Sequence, residues 1–330
     1  MNFLYALIAV LALIALALFG DDAAGLRPFF AIIIPYAAIA IFLTGVAYRV
    51  LKWARSAVPF RIPTTSGQQQ SLPWIKSGRL ESPSTKVGVA ARMALEILLF
   101  RSLFRNTRAD VRNRPRMVYG EEKFLWLGAL AFHWSFLIIF LRHLRFFMEP
   151  VPGLVLVLQS LDGFFQVGTP VLYLTDVIII IALVYLLLRR LRNPQLRYIS
   201  LFTDYFALCM LLGLAATGIW MRYLAKVDIL PIKEIAVGLV TFSPRIPEGA
   251  APLFNAHLLL VCTLLAYFPF SKLMHLAGVF LSPTRNLSNN NRMNRHVNPW
   301  DYPVKVHTYE EWEDEFRDKI AAAGLPLERQ

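Results

Sequence analysis

The sequence has 330 residues, of which 56% are hydrophobic, and its mean hydropathy is +0.49. This apolar content exceeds what a water-soluble domain of this length needs to fill its core, so it indicates a membrane protein. The net charge of +12 comes mostly from segments beside apolar stretches, which argues against nucleic-acid binding and favours contact with anionic lipid headgroups.

Six apolar stretches approach or exceed the roughly 20 residues that a helix needs to cross a bilayer. They lie at residues 2–20, 29–51, 124–147, 171–190, 201–224 and 254–280. Because lipid offers backbone groups no hydrogen-bond partner, we expect an all-α integral membrane bundle of six transmembrane helices. The first stretch lacks the basic start and the cleavage site of a secretory signal, so we expect it to be retained.

The basic residues are distributed unevenly between the loops. Residues 52–123 contain 14 Lys or Arg against 5 Asp or Glu, and the turn at 189–197 contains four arginines and no acidic residue. The loop at 148–170 has no Lys or Arg, and the loop at 225–253 has three of each sign. The positive-inside rule therefore places the basic loops, and with six spans both termini, on the cytoplasmic side of the cytoplasmic membrane.

The long basic loop has two parts. Its first part is rich in Pro, Ser, Gly and Gln and is expected to be irregular, whereas residues 86–104 space their apolar side chains as an amphipathic helix does. That helix is expected either to lie on the membrane surface or to dock in the groove of a partner.

The last 50 residues, 281–330, are polar but contain several aromatic side chains and an acidic stretch at 310–318. We expect a cytoplasmic partner-binding tail, because such a segment is too aromatic for a simple solvated tether. Its two histidines, His296 and His307, have no paired spacing and are expected to be exposed or to face a partner. Cys209 and Cys262 lie within spans and form no C-x-x-C pattern, so they are expected to be packing residues and not ligands of an iron–sulfur cluster.

Four histidines lie within the apolar spans. His257 and His275 are eighteen residues apart, which on one continuous helix is five turns and about 27 Å. His133 and His143, in FHWSFLIIFLRH, are ten residues apart, which is about 15 Å along the axis and about 80° around it. A single intramembrane histidine could simply be a hydrogen-bonded core residue, but two pairs on two helices favour a functional role.

Neutral imidazole is a good ligand for haem iron, and a haem between two helices needs one imidazole from each. Spans three and six run in opposite directions, so His133 pairs with His275 toward the cytoplasm, and His143 pairs with His257 toward the outside. We therefore expect two haems b, one above the other, forming an electron path across the membrane. The chain then divides into two N-terminal helices (1–51), the basic loop with its amphipathic helix (52–123), a four-helix haem-binding core (124–280) and the tail (281–330).

Cations near the membrane surfaces are candidate partners of the anionic haem propionates, or they are ordinary interfacial residues. The candidates are Arg142 and Arg145 on the outer side, and Lys272, Arg189, Arg190 and Arg197 on the inner side. Asp176 is either a cap near the start of span four or a proton acceptor for a quinol, and its position after Thr175 favours the cap.

These features resemble the cytochrome b, or gamma, subunit of respiratory nitrate reductases. The resemblance rests on the two His spacings, on FPFSKLMH (268–275), on LVTFSP (239–244) and on the turn RRLRNPQLR, and it covers roughly residues 29–285. It implies two b-type haems with bis-histidine ligation in the pairing given above.

The added first span, the long basic loop and the tail look more like DsrM, the cytochrome b of the DsrMKJOP complexes associated with sulfite reduction. That resemblance implies electron exchange between menaquinol on the outer side and a cytoplasmic iron–sulfur subunit, DsrK, with the other DsrMKJOP subunits as partners. The direction of electron flow stays open. The alternatives are a nitrate reductase gamma subunit, and a membrane anchor or transporter whose histidines relay protons or bind a metal.

Overall fold

The computed structural model describes residues 1–23, 26–56, 67–112, 116–166, 169–247, 251–293, 303 and 305–328. Within these ranges, five helices are long and apolar enough to cross a membrane. They are Asn2–Gly20, Phe29–Ala54, Lys123–Phe146, Phe202–Leu224 and Pro252–Phe270. The all-α prediction is therefore confirmed, with five of the six predicted spans meeting the length and composition of a membrane helix.

The helices of the apolar part follow the predicted order along the chain. They are α1 (Asn2–Ala23), α2 (Ile34–Ala54), α5 (Lys123–His143), α6 (Gly153–Asp162), α7 (Leu174–Arg192), α8 (Pro194–Ile199), α9 (Phe202–Ile219), α10 (Ile229–Val240), α11 (Pro252–Tyr267) and α12 (His275–Gly278). π-Helical turns at Phe29–Ile33 and Trp220–Leu224 precede α2 and follow α9.

The fourth predicted span corresponds to α7, which has 19 residues. It is not among the five because its ends carry Asp176, Arg189, Arg190 and Arg192. A helix of this length rises about 28 Å, close to the hydrocarbon thickness of about 30 Å, so a sixth crossing by α7 stays a prediction.

The contacts between the helices define how the bundle is arranged. α7 packs against both α5 and α9, and α9 packs against α11. α1 contacts both α9 and α11, while α2 packs on α11. Buried side chains from three helices, including Val10, Met210 and Leu260, form one of the cores. α7 and α9 therefore hold α5 and α11, the helices that carry most of the intramembrane histidines.

The predicted continuous helix over 254–280 is wrong. α11 ends at Tyr267, and short 3-10 turns follow at Phe268–Phe270 and Lys272–Met274 before α12 begins at His275. Pro269 lies in the first of these turns, where its ring and its missing N–H interrupt the hydrogen bonds of the helix. His257 and His275 therefore do not share one face of one helix.

The predicted amphipathic helix is present as α3 (Lys86–Leu99), followed by the short α4 (Arg101–Phe104). Phe100, with φ of 50°, separates the two. The end of α3 lies against α5, because the indole N–H groups of Trp126 and Trp134 donate to the carbonyls of Leu99 and Leu98 at 2.7 and 3.1 Å. Part of this helix therefore packs on its own chain, which neither interpretation from the sequence had included.

A two-stranded antiparallel ribbon, β1 (Thr107–Arg112) and β2 (Arg116–Glu121), connects α4 to α5. This ribbon was not predicted from the sequence. The segment after α12 returns to the loop, where the Asn289 N–H donates to the carbonyl of Pro83 at 2.7 Å and Arg285 pairs with Glu96 at 2.8 Å. The basic loop and the start of the tail therefore contact each other.

The described part of the tail contains one further helix, α13 (Tyr309–Ala322), whose first turn is closed by a capping box between Thr308 and Glu311. His307 lies just before it, with its Nδ1 3.6 Å from the Glu315 carboxylate. His296 lies outside the described residues.

Candidate functional site

His143 and His257 face each other between the end of α5 and the start of α11. Their ring centroids are 6.5 Å apart and their planes differ by only 11°. We call them the outer pair, after the side on which the sequence analysis places them. The partner that the sequence predicted for each ring is the ring that the structure brings to it.

His133 and His275 form the corresponding inner pair. Their ring centroids are 5.9 Å apart and their planes are inclined at 83°. Two aromatic rings, Phe100 and Phe132, each lie 4.9 Å from the His133 ring. The helix break at Pro269 therefore changes the path of the backbone to His275, but His275 still faces His133.

Hydrogen bonds determine which ring nitrogen each histidine can offer to a ligand. The Nδ1–H groups of His133 and His143 donate to carbonyls one turn back in α5, at 2.7 Å each, and that of His275 donates to the Lys272 carbonyl at 2.9 Å. A carbonyl can only accept, so these three rings carry their proton on Nδ1. Their Nε2 lone pairs are available to a metal, which is the usual arrangement of metal-ligating imidazoles.

The fourth histidine uses a hydroxyl group instead. His257 Nδ1 lies 2.8 Å from Thr217 Oγ1 on α9. Since the Thr217 hydroxyl donates to the carbonyl of Gly213 at 2.8 Å, its oxygen accepts from His257. All four rings therefore present Nε2.

The two pairs fit the axial ligation of haem. An imidazole nitrogen binds a metal at about 2 Å, so two rings on opposite sides of one iron have centroids about 6 Å apart. Both observed separations are close to this value. The described residues contain no group of three or more His, Cys, Asp or Glu side chains placed to hold a metal ion, whereas haem iron needs only two protein ligands because the porphyrin supplies four. Ligation itself stays a prediction.

A buried charge network lies next to the outer pair. Arg142 Nη2 is 2.6 Å from Asp176 Oδ1, and its Nη1 is 3.2 Å from Asp162 Oδ2. The Tyr223 hydroxyl donates to Asp176 Oδ2 at 2.8 Å and accepts the backbone N–H of Tyr173 at 3.0 Å. These contacts join α5, the end of α6, the start of α7 and the turn after α9.

The prediction that Asp176 caps α7 is wrong. The residue before the helix is Tyr173, and no side chain caps its first turn from that position. The carboxylate of Asp162 instead accepts the backbone N–H and the hydroxyl of Thr175, at 2.8 and 2.6 Å. Asp176 instead accepts hydrogen bonds from Arg142 and Tyr223, and its role as a proton acceptor for a quinol stays a prediction.

Sequence reasoning missed Asp162, Tyr223 and a second guanidinium, Arg222. The Arg142 and Arg222 guanidinium groups lie 3.8 and 4.1 Å from the Tyr173 ring centroid. One signal was available, because an arginine inside an apolar span requires a compensating charge. The identity of that charge depends on the fold and could not be read from spacing.

Most of the cations that were predicted to pair with haem propionates pair instead with carboxylates of the chain itself. Arg142 pairs with two aspartates, Arg190 and Lys272 both approach Asp204 at 3.8 and 2.7 Å, and Arg189 pairs with Glu122 at 2.8 Å. Arg197 is exposed and Arg145 lies 5.8 Å from the Phe146 ring. The structure therefore provides chain carboxylates for four of these six cations, and a propionate role stays a prediction.

A family model described as nitrate reductase gamma subunit matches residues 85–295, which include all four paired histidines. The chain belongs to the nitrate reductase gamma subunit family. The match starts at α3 and not at residue 29, so α1 and α2 lie outside it. Together with its five long apolar helices, this membership makes the chain a multi-pass membrane protein.

Two curated proteins are similar over most of this family member. One, from Archaeoglobus fulgidus, is named Hdr-like menaquinol oxidoreductase cytochrome b-like subunit and is 46% identical over 279 residues, which are 82% of this chain and 83% of that protein. A protein of the same name from Archaeoglobus profundus is 45% identical over 275 residues, or 81% of each chain.

Proposed function

We propose that the chain is the membrane cytochrome b subunit of a menaquinol oxidoreductase complex, in which the outer and inner pairs are the axial ligands of two haems b. The observation that carries this proposal is the placement of four imidazoles as two facing pairs, each with Nδ1 hydrogen-bonded and Nε2 available. When bound, the haems supply reversible one-electron transfer.

The chain's own contribution is to hold these rings at two depths. His133 and His143 are ten residues apart in α5, which is about 15 Å along the helix axis. Each has its ring orientation fixed by the carbonyl one turn before it. α7 and α9 keep α5 and α11 at the separation that the pairs need.

The names of the relatives and the charge distribution support a direction of electron flow and a set of partners. The names of the two Archaeoglobus proteins support menaquinol as the electron donor. Their Hdr-like description is consistent with a cytoplasmic iron–sulfur subunit of the DsrK type and with a DsrM-like role in sulfur respiration. The uneven distribution of basic residues between the loops supports a topology in which both termini are cytoplasmic and α7 is a sixth crossing. In this topology the outer pair lies on the side where we propose that menaquinol is oxidised. The tail at 281–330, with its acidic α13, is then available to the cytoplasmic partner.

Visible spectroscopy of the purified full chain tests the haem assignment. We expect two low-spin b haems per chain, detected as a pyridine haemochrome and as two components in a redox titration. A colourless chain, folded in detergent, would rule out the redox function and would favour a transporter or an anchor.

Histidine substitutions test the pairing. His143→Ala and His257→Ala should each remove the same haem, and His133→Ala and His275→Ala should each remove the other. His307→Ala, which changes a histidine in the tail, is the matched control and should retain both. If any of the four intramembrane variants retained both haems, the pairing would be incorrect.

Copurification separates the two redox alternatives. An Hdr-like complex should yield an iron–sulfur protein with the chain, whereas a nitrate reductase gamma subunit should yield a molybdenum enzyme. Reduction of the haems by a soluble menaquinol analogue, lost in the His143→Ala variant, would support menaquinol oxidation near the outer pair.

A further inference from the structure

Thr217 differs from every other partner of the paired histidines. His133, His143 and His275 donate Nδ1–H to backbone carbonyls within four residues of themselves. His257 instead donates across the helix interface, from α11 to the Thr217 side chain of α9. A backbone carbonyl cannot be removed by substitution, but a hydroxyl can.

The Thr217 hydroxyl has a fixed direction. Its hydrogen is directed to the carbonyls of Gly213 and Leu214, at 2.8 and 3.1 Å, so its oxygen presents lone pairs to the imidazole. Thr217 itself is buried, with 7% of its surface exposed, so water does not readily substitute for it. The neighbouring Gly218 also lies against the imidazole edge, where an added Cβ would make ordinary van der Waals contact at 3.4 Å from His257 Cε1.

We propose that Thr217 is a positioning residue of the outer haem site, fixing His257 in the tautomer that ligates through Nε2 and setting the electron donation of that ligand. The inference rests on the proposed haem function. α9 supplies no axial ligand, but through this hydroxyl it contributes to one haem and not to the other.

Loss of the acceptor has two consequences. The ring is no longer held with its proton on Nδ1, so the Nε2–H tautomer, which has no lone pair on Nε2 for iron, becomes populated. Removing an outer-shell partner of this kind typically weakens metal binding 10- to 100-fold. In chains that keep the haem, an imidazole without this hydrogen bond donates less electron density, which raises the midpoint potential.

The experiment compares three variants of the full chain. Thr217→Val removes the hydroxyl at nearly constant volume, and Thr217→Ser restores it. Thr263→Val is the matched control, because Thr263 Oγ1 also bonds back to its own helix, to Leu259 O at 2.8 Å. Haem content and a two-component redox titration are measured for each.

We expect Thr217→Val to lower the occupancy of the outer haem and to raise its midpoint potential, while the inner haem is unchanged. Thr217→Ser and Thr263→Val should both resemble the unmodified chain. The inference fails if Thr217→Val keeps both haems at their original potentials, if Thr217→Ser is equally defective, or if both haems are affected alike. Absence of haem from the unmodified chain would instead refute the proposed function.

Discussion

His133 and His275 have ring centroids 5.9 Å apart although the helix that carries His257 ends eight residues before His275. The turns between Tyr267 and His275 must therefore be held in place by contacts outside α11. One such contact is with α2, where Pro269 packs on Gly45.

Replacing Gly45 with alanine should disturb the inner pair. An added Cβ would lie 2.7 Å from Pro269 Cβ and 2.8 Å from its Cγ, so α2 or the turn must move. Overpacking of this kind costs about 1–3 kcal/mol. We expect a lower unfolding temperature in detergent and weaker retention of the inner haem. Gly153→Ala, where nothing lies within 4 Å of the added atom, is the control, and equal effects of the two changes would contradict this explanation.

Replacing Arg142 with methionine should strongly destabilise the protein. The change leaves Asp162 and Asp176 buried beside each other without their cation, and breaking a buried ion pair on one side costs about 3–5 kcal/mol. Thermal unfolding in detergent measures the loss. Arg197→Met, at an exposed position, should change stability by less than about 0.5 kcal/mol.

The hydroxyl of Tyr223 can be removed without changing the ring. Tyr223→Phe takes away the donor to Asp176 and the acceptor of the Tyr173 N–H, and we expect a loss of about 1–3 kcal/mol because buried groups are left unpaired. Tyr198→Phe is the control, since Tyr198 is 92% exposed. A Tyr223→Phe protein as stable as the unmodified chain would show that this hydroxyl is dispensable.

Glu81 in the basic loop should contribute to stability in a pH-dependent manner. Burial by itself raises the pKa of this carboxyl, but its hydrogen bonds and charge interactions with Arg101 and Arg105 outweigh burial and lower the pKa below 4.5. Because the folded pKa is lower than the unfolded one, the stabilisation is complete above the unfolded value and disappears as the pH falls through the folded value.

Glu81→Gln should therefore make the loop more sensitive to limited proteolysis at pH 7, where the pairs are intact. The difference from the unmodified chain should shrink once the pH falls well below about 4. A constant difference across that range would exclude an ionic origin. Glu121→Gln, in the same loop and with a side chain 70% exposed, is the matched control.

The part of the site that follows from helix geometry could be predicted from the sequence. Fixed rise and rotation per residue place His133 and His143 on α5, and opposite helix directions assign each a partner. The assumption of one straight helix from His257 to His275 was wrong, yet the assigned partners still meet. A pairing predicted from the depth of the histidines in the membrane is not changed by a local break in a helix, provided that the histidine stays at the same depth.

Contacts that depend on tertiary structure could not be predicted. Asp162, at the end of a short helix between two spans, pairs with Arg142 twenty residues earlier. It also accepts the Thr175 N–H in the first turn of α7, which is the capping role that the sequence favoured for Asp176. The hydroxyl of Thr217 is forty residues from the imidazole that it orients. Neither contact follows a repeating spacing in the sequence, because each forms only where two separate helices pack together.

The local hydrogen bonds of His133 and His143 also bear on how the cofactors are acquired. Their acceptors, Ala129 and Ile139, lie one turn back in the same helix, so both imidazoles are in a ligating form as soon as α5 has formed. His257 reaches that form only after α9 and α11 have assembled. At the proposed outer haem, the first imidazole bond would accordingly come from α5, with the opposite bond closing later. His275 has a local acceptor of its own, so the inner pair has no such order.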